Sequence, residues 1–248
     1  MHTDYEALAD RYDEDRAQWA VPRDDVVEKA LIQGSTARVL DVGCGTGTWL
    51  AAQRDFFGDA GVEWVGADPS EAMLRVAEQK GLRKLVRAGA EALPLSSTVF
   101  DYVACSFMFH HVIDKESALD EVDRVLKPTG FFRLNNIEPA APNGWWLYEF
   151  FPGAIAIDAA RFWPAERVAD ALHRRHYEVD IELEENPTQS TATDALAEAE
   201  RRVISQLALL DDDEYAQGII RLREAAMEPT ASMLSTWSKL QITAQKAG

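Results

Sequence analysis

The chain has 248 residues, with 42 acidic side chains against 25 basic and a formal net charge of −17. Apolar residues make up 47% and charged residues 27%, which is ample for a buried core and unlike a disordered chain. An acid excess of this size argues against gripping nucleic acid through its phosphates and against docking on an anionic membrane, because both need clustered cations.

The two cysteines, Cys44 and Cys105, lack the paired spacing of a zinc or redox site, and no metal is expected. No apolar run approaches the roughly 18 residues of a spanning helix. The opening Met1-His2-Thr3-Asp4-Tyr5-Glu6 is acidic and polar, unlike a signal peptide. A cytoplasmic protein without a membrane segment is the expectation.

In chain order, Arg38–Asp41 reads as a strand that ends in glycines, followed by a helix over Trp49–Phe57. Val62–Ala67 is the next strand, and Ser70–Lys80 a helix with Met73, Leu74 and Ala77 on one face. Lys84–Arg87 and Phe100–Cys105 are further strands, the latter leading to a helix over Lys115–Leu126. Lys127-Pro128-Thr129-Gly130 reads as a stop and turn before the strand Phe131–Leu134. Strands alternating with helices of this length imply right-handed βαβ units and a parallel sheet, so the fold class is α/β.

The last third differs. Pro139–Pro164 is rich in aromatics, from Trp145 to Trp163. Those rings either wall a pocket for a flat acceptor or pack the segment itself. Pro164–Arg175 reads as a helix with proline in its first turn, and the alternation of Tyr177–Glu182 as a strand. Thr193–Leu210 and Asp213–Ala226 read as helices, and Lys239–Ala244 as a closing strand. Two late strands around a helical pair predict an antiparallel edge and a helical insertion.

The segment Val39-Leu40-Asp41-Val42-Gly43-Cys44-Gly45-Thr46-Gly47 carries the most chemistry. Glycines there permit positive φ and let backbone N–H groups approach a ligand. In open α/β sheets the ligand crevice lies beyond the carboxyl ends of the strands, where this loop falls. A dinucleotide site wants G-x-G-x-x-G, whereas the spacing here is G-x-G-x-G with an acid before it. Asp41 is ill placed for a diphosphate and well placed for an ammonium. Asp68, closing the second strand, suits the two hydroxyls of a ribose. A ligand with an ammonium, a ribose and no phosphate fits both acids.

Together with Val65–Ser70, Ala90–Leu95, Phe100–Val103, His110-His111-Val112 and Arg124–Pro128, this loop resembles the successive motifs of class I S-adenosylmethionine-dependent methyltransferases. The likeness is greatest to the small-molecule branch of the ubiquinone/menaquinone-biosynthesis type, and it runs from about Tyr5 to Asn136. It implies a Rossmann-like, mostly parallel seven-stranded sheet with helices on both faces, an antiparallel C-terminal edge strand and a helical lid insertion. A single domain is implied, with an N-terminal helical lid over 1–34, a cofactor-binding core over 35–138, and substrate-side insertions over 139–164 and 186–236.

By the same resemblance, S-adenosylmethionine is the cofactor. Asp41, Gly43, Cys44 and Gly45 line its methionine half, and Asp68 holds its ribose. Pro69 and Met73 flank the adenine, and Ala90 and Glu91 lie along the adenine edge. Ser106 and Phe107 sit near the sulfonium, and Tyr12 and Arg16 meet the cofactor carboxylate. The family often has an acid just before the Ala-Glu pair, where this chain has Gly89, so adenine recognition shifts to the backbone near Ala90 or to Glu91. The family's Lys-Pro-Gly-Gly turn here contains Thr129.

The partner implied is a small-molecule methyl acceptor, with O, N, C and S all open as the methylated atom. His110 and His111 are candidate bases, with a packing role as the alternative, and Glu138 a candidate for orienting a polar substrate. His173, His176, Arg201, Arg202, Arg221 and Arg223 read as surface. A tRNA methyltransferase and a non-catalytic cofactor-binding module are the alternative functions. The first is opposed by the charge and by Ser106-Phe107-Met108-Phe109, which stands where an Asn/Asp-Pro-Pro-Tyr/Phe segment would be.

Overall fold

A computed structural model of the protein describes residues 6, 9, 12–14, 20–59, 61–138, 144–202, 204–228 and 232–247. They fall into two compact units. The core unit comprises Asp4–Asn136, Ala165–Glu182 and Gln241–Gly248, and the helical unit Ile137–Pro164 and Leu183–Leu240.

In the core unit, helix α1 (Asp25–Gly34) starts where the Asp24 carboxylate accepts the Val26 N–H, an N-cap. Strand β1 (Ala37–Val42) is buried at five of its six positions, as a central parallel strand with both faces covered must be. It is followed by α2 (Thr48–Phe57), β2 (Val62–Asp68), α3 (Glu71–Gln79), β3 (Lys84–Arg87), β4 (Phe100–Ser106) and α4 (Lys115–Val125). Ser70 caps α3 and Asp114 caps α4, each accepting a backbone N–H three residues on. Val39, Leu50, Trp64, Ala77 and Tyr102 form the centre of the apolar core between sheet and helices.

The seven strands lie in the order β3-β2-β1-β4-β5-β7-β6, where β5 is Leu126–Ile137, β6 Tyr177–Thr191 and β7 Ser232–Lys246. The first five are parallel. Within the core unit, Arg133 reaches Thr243 while Gln245 reaches the Thr129 carbonyl, so β5 and β7 run antiparallel. The order turns back at β1/β4, with Asp41 level with Gly66 on one side and Ala104 on the other. That reversal is where an open α/β sheet offers its crevice.

Two expectations need correction. Lys127–Gly130 is not a turn outside the sheet. The strand starts at Leu126 and the extra residues are absorbed as a register shift, with Phe100 opposite Leu126 but Tyr102 opposite Phe131. The helix expected over Thr193–Leu210 is two helices, α8 (Ala192–Arg201) and α9 (Ser205–Leu209). Arg202 breaks it with φ +52°, and its guanidinium caps the Leu207 and Leu210 carbonyls.

Helix α7 (Ala165–His173) belongs to the core unit, and α5 (Trp146–Phe150), α6 (Gly153–Arg161) and α10 (Asp212–Ala225) join α8 and α9 in the helical unit. The aromatic stretch is spent mainly on that unit's own core. Trp146, Phe150 and Phe151 are buried with Ala195, Leu207 and Leu222, and Trp145 and Tyr148 pack against them. Asp158, buried beneath, accepts from Tyr148 Oη, Gln206 Nε2 and Arg161 Nη2. His173 and His176 are exposed, Arg223 pairs with Glu200, and Arg221 donates to the Phe150 carbonyl.

Beneath β4 and β5, the buried Arg133 donates through Nη1 to Asp24 (2.8 Å) and Asp25 (2.7 Å). Tyr102 Oη donates to the other Asp24 oxygen at 2.7 Å. Removing one partner of a buried pair leaves a desolvated charge. Arg133→Met should therefore lower unfolding free energy by roughly 3–5 kcal/mol in urea titrations; a loss under about 1 kcal/mol would show that water reaches Asp24.

Candidate active site

The loop after β1 is tied to the tip of β2. Gly43 and Cys44 donate their N–H groups to the Ala67 carbonyl at 2.7 and 3.0 Å. Gly45 N–H donates to Asp68 Oδ2 at 2.9 Å, and Ser70 N–H to Asp68 Oδ1 at 2.8 Å. Gly45 has φ +52°, and a Cβ built on it meets nothing within 4 Å, so this is the open side of the loop. Gly47, at φ +72°, is the opposite case: its Cβ would overlap Leu82 and Ala77. One glycine leaves approach free for a ligand, and the other lets the loop lie on its neighbours.

Asp41 is only 3% exposed. Its backbone is held in the ladders to β2 and β4, but no described residue forms a hydrogen bond or ion pair with its carboxyl group. Burial pushes its carboxyl well above the usual carboxylate range, and the charges of Asp68 and Asp24 push it further. The Asp68 carboxyl is also raised, by burial first, against the pull of the Ser70 and Gly45 N–H groups, with Glu6 adding to the rise. A carboxylate offers about four lone-pair positions, so the two backbone donors leave Asp68 acceptor capacity. A desolvated, unpaired acid beside a second acid suits a ligand with a cationic end and hydroxyl donors.

The remaining expected positions are spread around this pair. Cys44 is buried, and its Sγ packs where a Cβ on Gly66 would stand. Pro69 is exposed, and its carbonyl accepts from Arg87 Nε at 3.3 Å. Met73 is buried with Ala9 and Ala72, and Tyr12 packs on the same cluster. Ala90 is buried, and Glu91 Oε1 accepts the Ile113 N–H at 3.3 Å, bridging the loops after β3 and β4. Arg16 lies outside the described residues.

Ser106 Oγ lies 3.1 Å from Asn135 Nδ2, and Phe107, at φ +52°, donates its N–H to the Asn135 carbonyl at 2.8 Å. His110 is buried in the 3-10 turn Phe109–His111, with Nδ1 3.2 Å from Asn136 Oδ1. The His111 ring lies 4.0 Å from that of His110. Glu138 belongs to the helical unit, where it is buried and its N–H donates to the Ser238 carbonyl at 2.9 Å.

Sequence reasoning missed two acids. Asp13 accepts from Thr46 Oγ1 (2.6 Å), Thr48 Oγ1 (2.9 Å) and Lys80 Nζ (2.5 Å). Burial raises its carboxyl, but these donors outweigh that and hold it below the usual range. Glu6 accepts the N–H groups of Glu71 and Ala72, the start of α3. The available signal was the pair of acids in the N-terminal segment, together with Thr46, Thr48 and Ser70 at helix starts.

A family model described as a methyltransferase domain matches residues 40–134. The demethylmenaquinone methyltransferase of Geobacillus kaustophilus is 40% identical over 114 residues, 44% of this chain and 48% of that protein. The chain thus spans about half the length of the curated relatives it matches. The solved structure of the YcgJ protein from Bacillus subtilis superposes with a TM-score of 0.63 at 22% identity, covering 90% of this chain and 98% of that one. Phosphoethanolamine N-methyltransferase 2 of Haemonchus contortus, solved with phosphomonomethylethanolamine and S-adenosylhomocysteine, gives 0.59 at 19% identity, covering 98% of this chain and 58% of that one. At such identities the solved structures establish the shared fold.

A carboxyl whose folded pKa lies above its unfolded value takes up a proton on folding, so stability falls as pH rises from the ordinary carboxylate range through the raised value. Asp41→Asn should flatten that decline in urea titrations between pH 4 and 8 and stabilise the unliganded protein at pH 7 by roughly 1 kcal/mol or more. An unchanged slope would mean that Asp41 ionises freely.

Proposed function

We propose that this chain is a class I S-adenosylmethionine-dependent methyltransferase that transfers the cofactor's methyl group to a small-molecule acceptor, a reading supported by the methyltransferase-domain match over residues 40–134 and by the shared fold. The observation that carries this reading is Asp41, a buried acid at the crevice that no described residue pairs. It would hold the ammonium of the methionine half, with the open side of Gly45 giving the backbone access to that moiety. Asp68 would accept from the ribose hydroxyls with the lone pairs left by Gly45 and Ser70. Glu91 and the backbone at Ala90 would edge the adenine.

When bound, S-adenosylmethionine supplies a methyl group already activated by a sulfonium. What remains for the chain is to align the acceptor and exclude water, effects that together account for much of a displacement's acceleration. Ser106 and Phe107 end β4 on the crevice side of the sheet, where the reacting groups would meet. The relatives are named for demethylmenaquinone, and we extend that chemistry here to a hydroxylated aromatic acceptor. Ionising a hydroxyl on such a ring makes the neighbouring carbon, or the oxygen itself, nucleophilic. The net charge of −17 argues against a polyanionic acceptor.

Calorimetry with S-adenosylmethionine and S-adenosylhomocysteine tests the reading, with micromolar binding expected and no binding by folded protein overturning it. Asp68→Ala removes charge-assisted hydrogen bonds of roughly 1.5–3 kcal/mol and should weaken S-adenosylhomocysteine about ten- to hundredfold. Unchanged affinity in that variant would take the ribose contact away from Asp68.

A further inference from the structure

We propose that the amino ends of the parallel strands carry a second binding site, for a small molecule bearing a phosphate group, at the far end of the sheet from Asp41 and Asp68. A groove of about 780 Å³ opens there in the core unit, reached by Ala37, Val62, Lys84 and Asp101 from the starts of β1 to β4. Small-molecule sites fall in the range of roughly 300–1,000 Å³. Five Lys and Arg side chains line the groove against three acids, a reversal of sign in a chain with 25 basic and 42 acidic residues. The groove needs nothing from the crevice, and so stands whether or not the crevice binds S-adenosylmethionine.

Three of the five cations are closely paired. Glu63 accepts from Arg38 Nη2 (3.3 Å), its neighbour across β1 and β2, and from Lys84 Nζ (2.9 Å). Asp101 accepts from Lys127 Nζ (2.7 Å) and from the Arg38 N–H (2.8 Å). Asp59, the third acid, is exposed to water, which screens it. Arg83 is exposed too, and no described residue forms an ion pair or hydrogen bond with its guanidinium. An adjoining hollow of about 300 Å³ shares Arg38, Glu63, Arg83 and Lys84, so these side chains stand between two open spaces.

Arg54 is the preorganised part of the site. Its side chain leaves α2 with 22% exposure, and Nη2 donates to the Lys80 carbonyl at 2.9 Å. Its carboxylate neighbour, Asp55, is 3.8 Å away and 77% exposed, a pair of little strength in water. A Cβ on Gly81, at φ +84°, would stand 3.3 Å from Arg54 Nη1, so the turn between α3 and β3 gives the guanidinium its room. A guanidinium carries five N–H donors in a rigid fork that fits phosphate oxygens in pairs, and the Lys80 carbonyl takes one of them. The net charge of −17 is screened beyond about 8 Å at physiological ionic strength. A small ligand inside the groove therefore meets the local cations, whereas a long nucleic acid would also meet the surrounding acids.

Calorimetry with ADP and inorganic pyrophosphate as probes tests the site, each run with and without saturating S-adenosylhomocysteine. Micromolar binding of ADP is expected, with pyrophosphate displacing it and S-adenosylhomocysteine leaving its affinity unchanged. Arg83→Ala and Arg54→Gln should each weaken ADP about tenfold or more, the loss expected for a charge-assisted contact. Arg83 is exposed, so its variant should unfold at the same urea concentration as wild type. No ADP binding by folded wild type overturns the proposal. So does ADP that S-adenosylhomocysteine displaces, which would put the phosphates in the crevice, or ADP that both variants hold as tightly as wild type. An ADP site that pyrophosphate cannot enter overturns it as well, since the phosphates would then not be the part recognised. If S-adenosylhomocysteine itself does not bind, the methyltransferase reading falls, while ADP binding that depends on Arg83 still supports the groove.

Discussion

An unpaired acid at the end of the central strand is the constraint on which the rest depends. β1 delivers Asp41 to the point where the strand order reverses, and burial with Asp24 and Asp68 nearby makes its charge costly. The fold compensates Asp24 with Arg133 and Tyr102 from beneath and Asp68 with two backbone N–H groups. It supplies Asp41 with no such donor among the described residues. A cation arriving from outside would remove the deficit, so affinity for the proposed cofactor and the unliganded protein's stability would be opposed at this one side chain.

The parts of this arrangement that were legible in the sequence are the local ones. A strand running into glycines, an acid at its end and another acid at the end of the next strand are each visible within a few residues. The role of Asp68 in pinning Gly45 was not, because it joins positions 23 residues apart through a backbone N–H. The break at Arg202 was hidden for a different reason: glycine ordinarily marks left-handed backbone, and here arginine adopts it to cap two carbonyls. Pro128 and Gly130 look like a turn until the pairing of β4 with β5 shows that a register shift absorbs them. The aromatics from Trp145 onward left pocket wall and packing both open, since both need large apolar rings; the burial of Trp146, Phe150 and Phe151 in one cluster with Leu207, Leu222 and Ala195 gives packing as their use.

Under the proposed function, the chain's overall acidity would act on the cofactor at longer range as well. S-adenosylmethionine carries a net positive charge and its demethylated product does not, so a field from 17 excess negative charges would draw in the loaded form of the proposed cofactor more than the spent one. The effect is one of encounter rate, screened beyond about 8 Å at physiological ionic strength. Discrimination inside the crevice therefore falls to close contacts.

Those contacts also explain why a diphosphate is a poor occupant. In phosphate-binding α/β folds the helix after the glycine loop turns its free N–H groups and positive end toward the ligand. Here the start of α2 carries the Asp13 carboxylate, bound to Thr46 and Thr48 and paired with Lys80. The start of α3 carries Glu6, bound to the Glu71 and Ala72 N–H groups. Both helix ends that flank the loop are already matched by the chain's own anions, which the helix dipole stabilises. A pyrophosphate brought to that loop would meet Asp13, Glu6, Asp41 and Asp68 together. A phosphate-free nucleoside with an ammonium would meet the same four acids as partners or as bystanders, so under the proposed function the N-terminal acids would favour that ligand by occupying the places that phosphate would need.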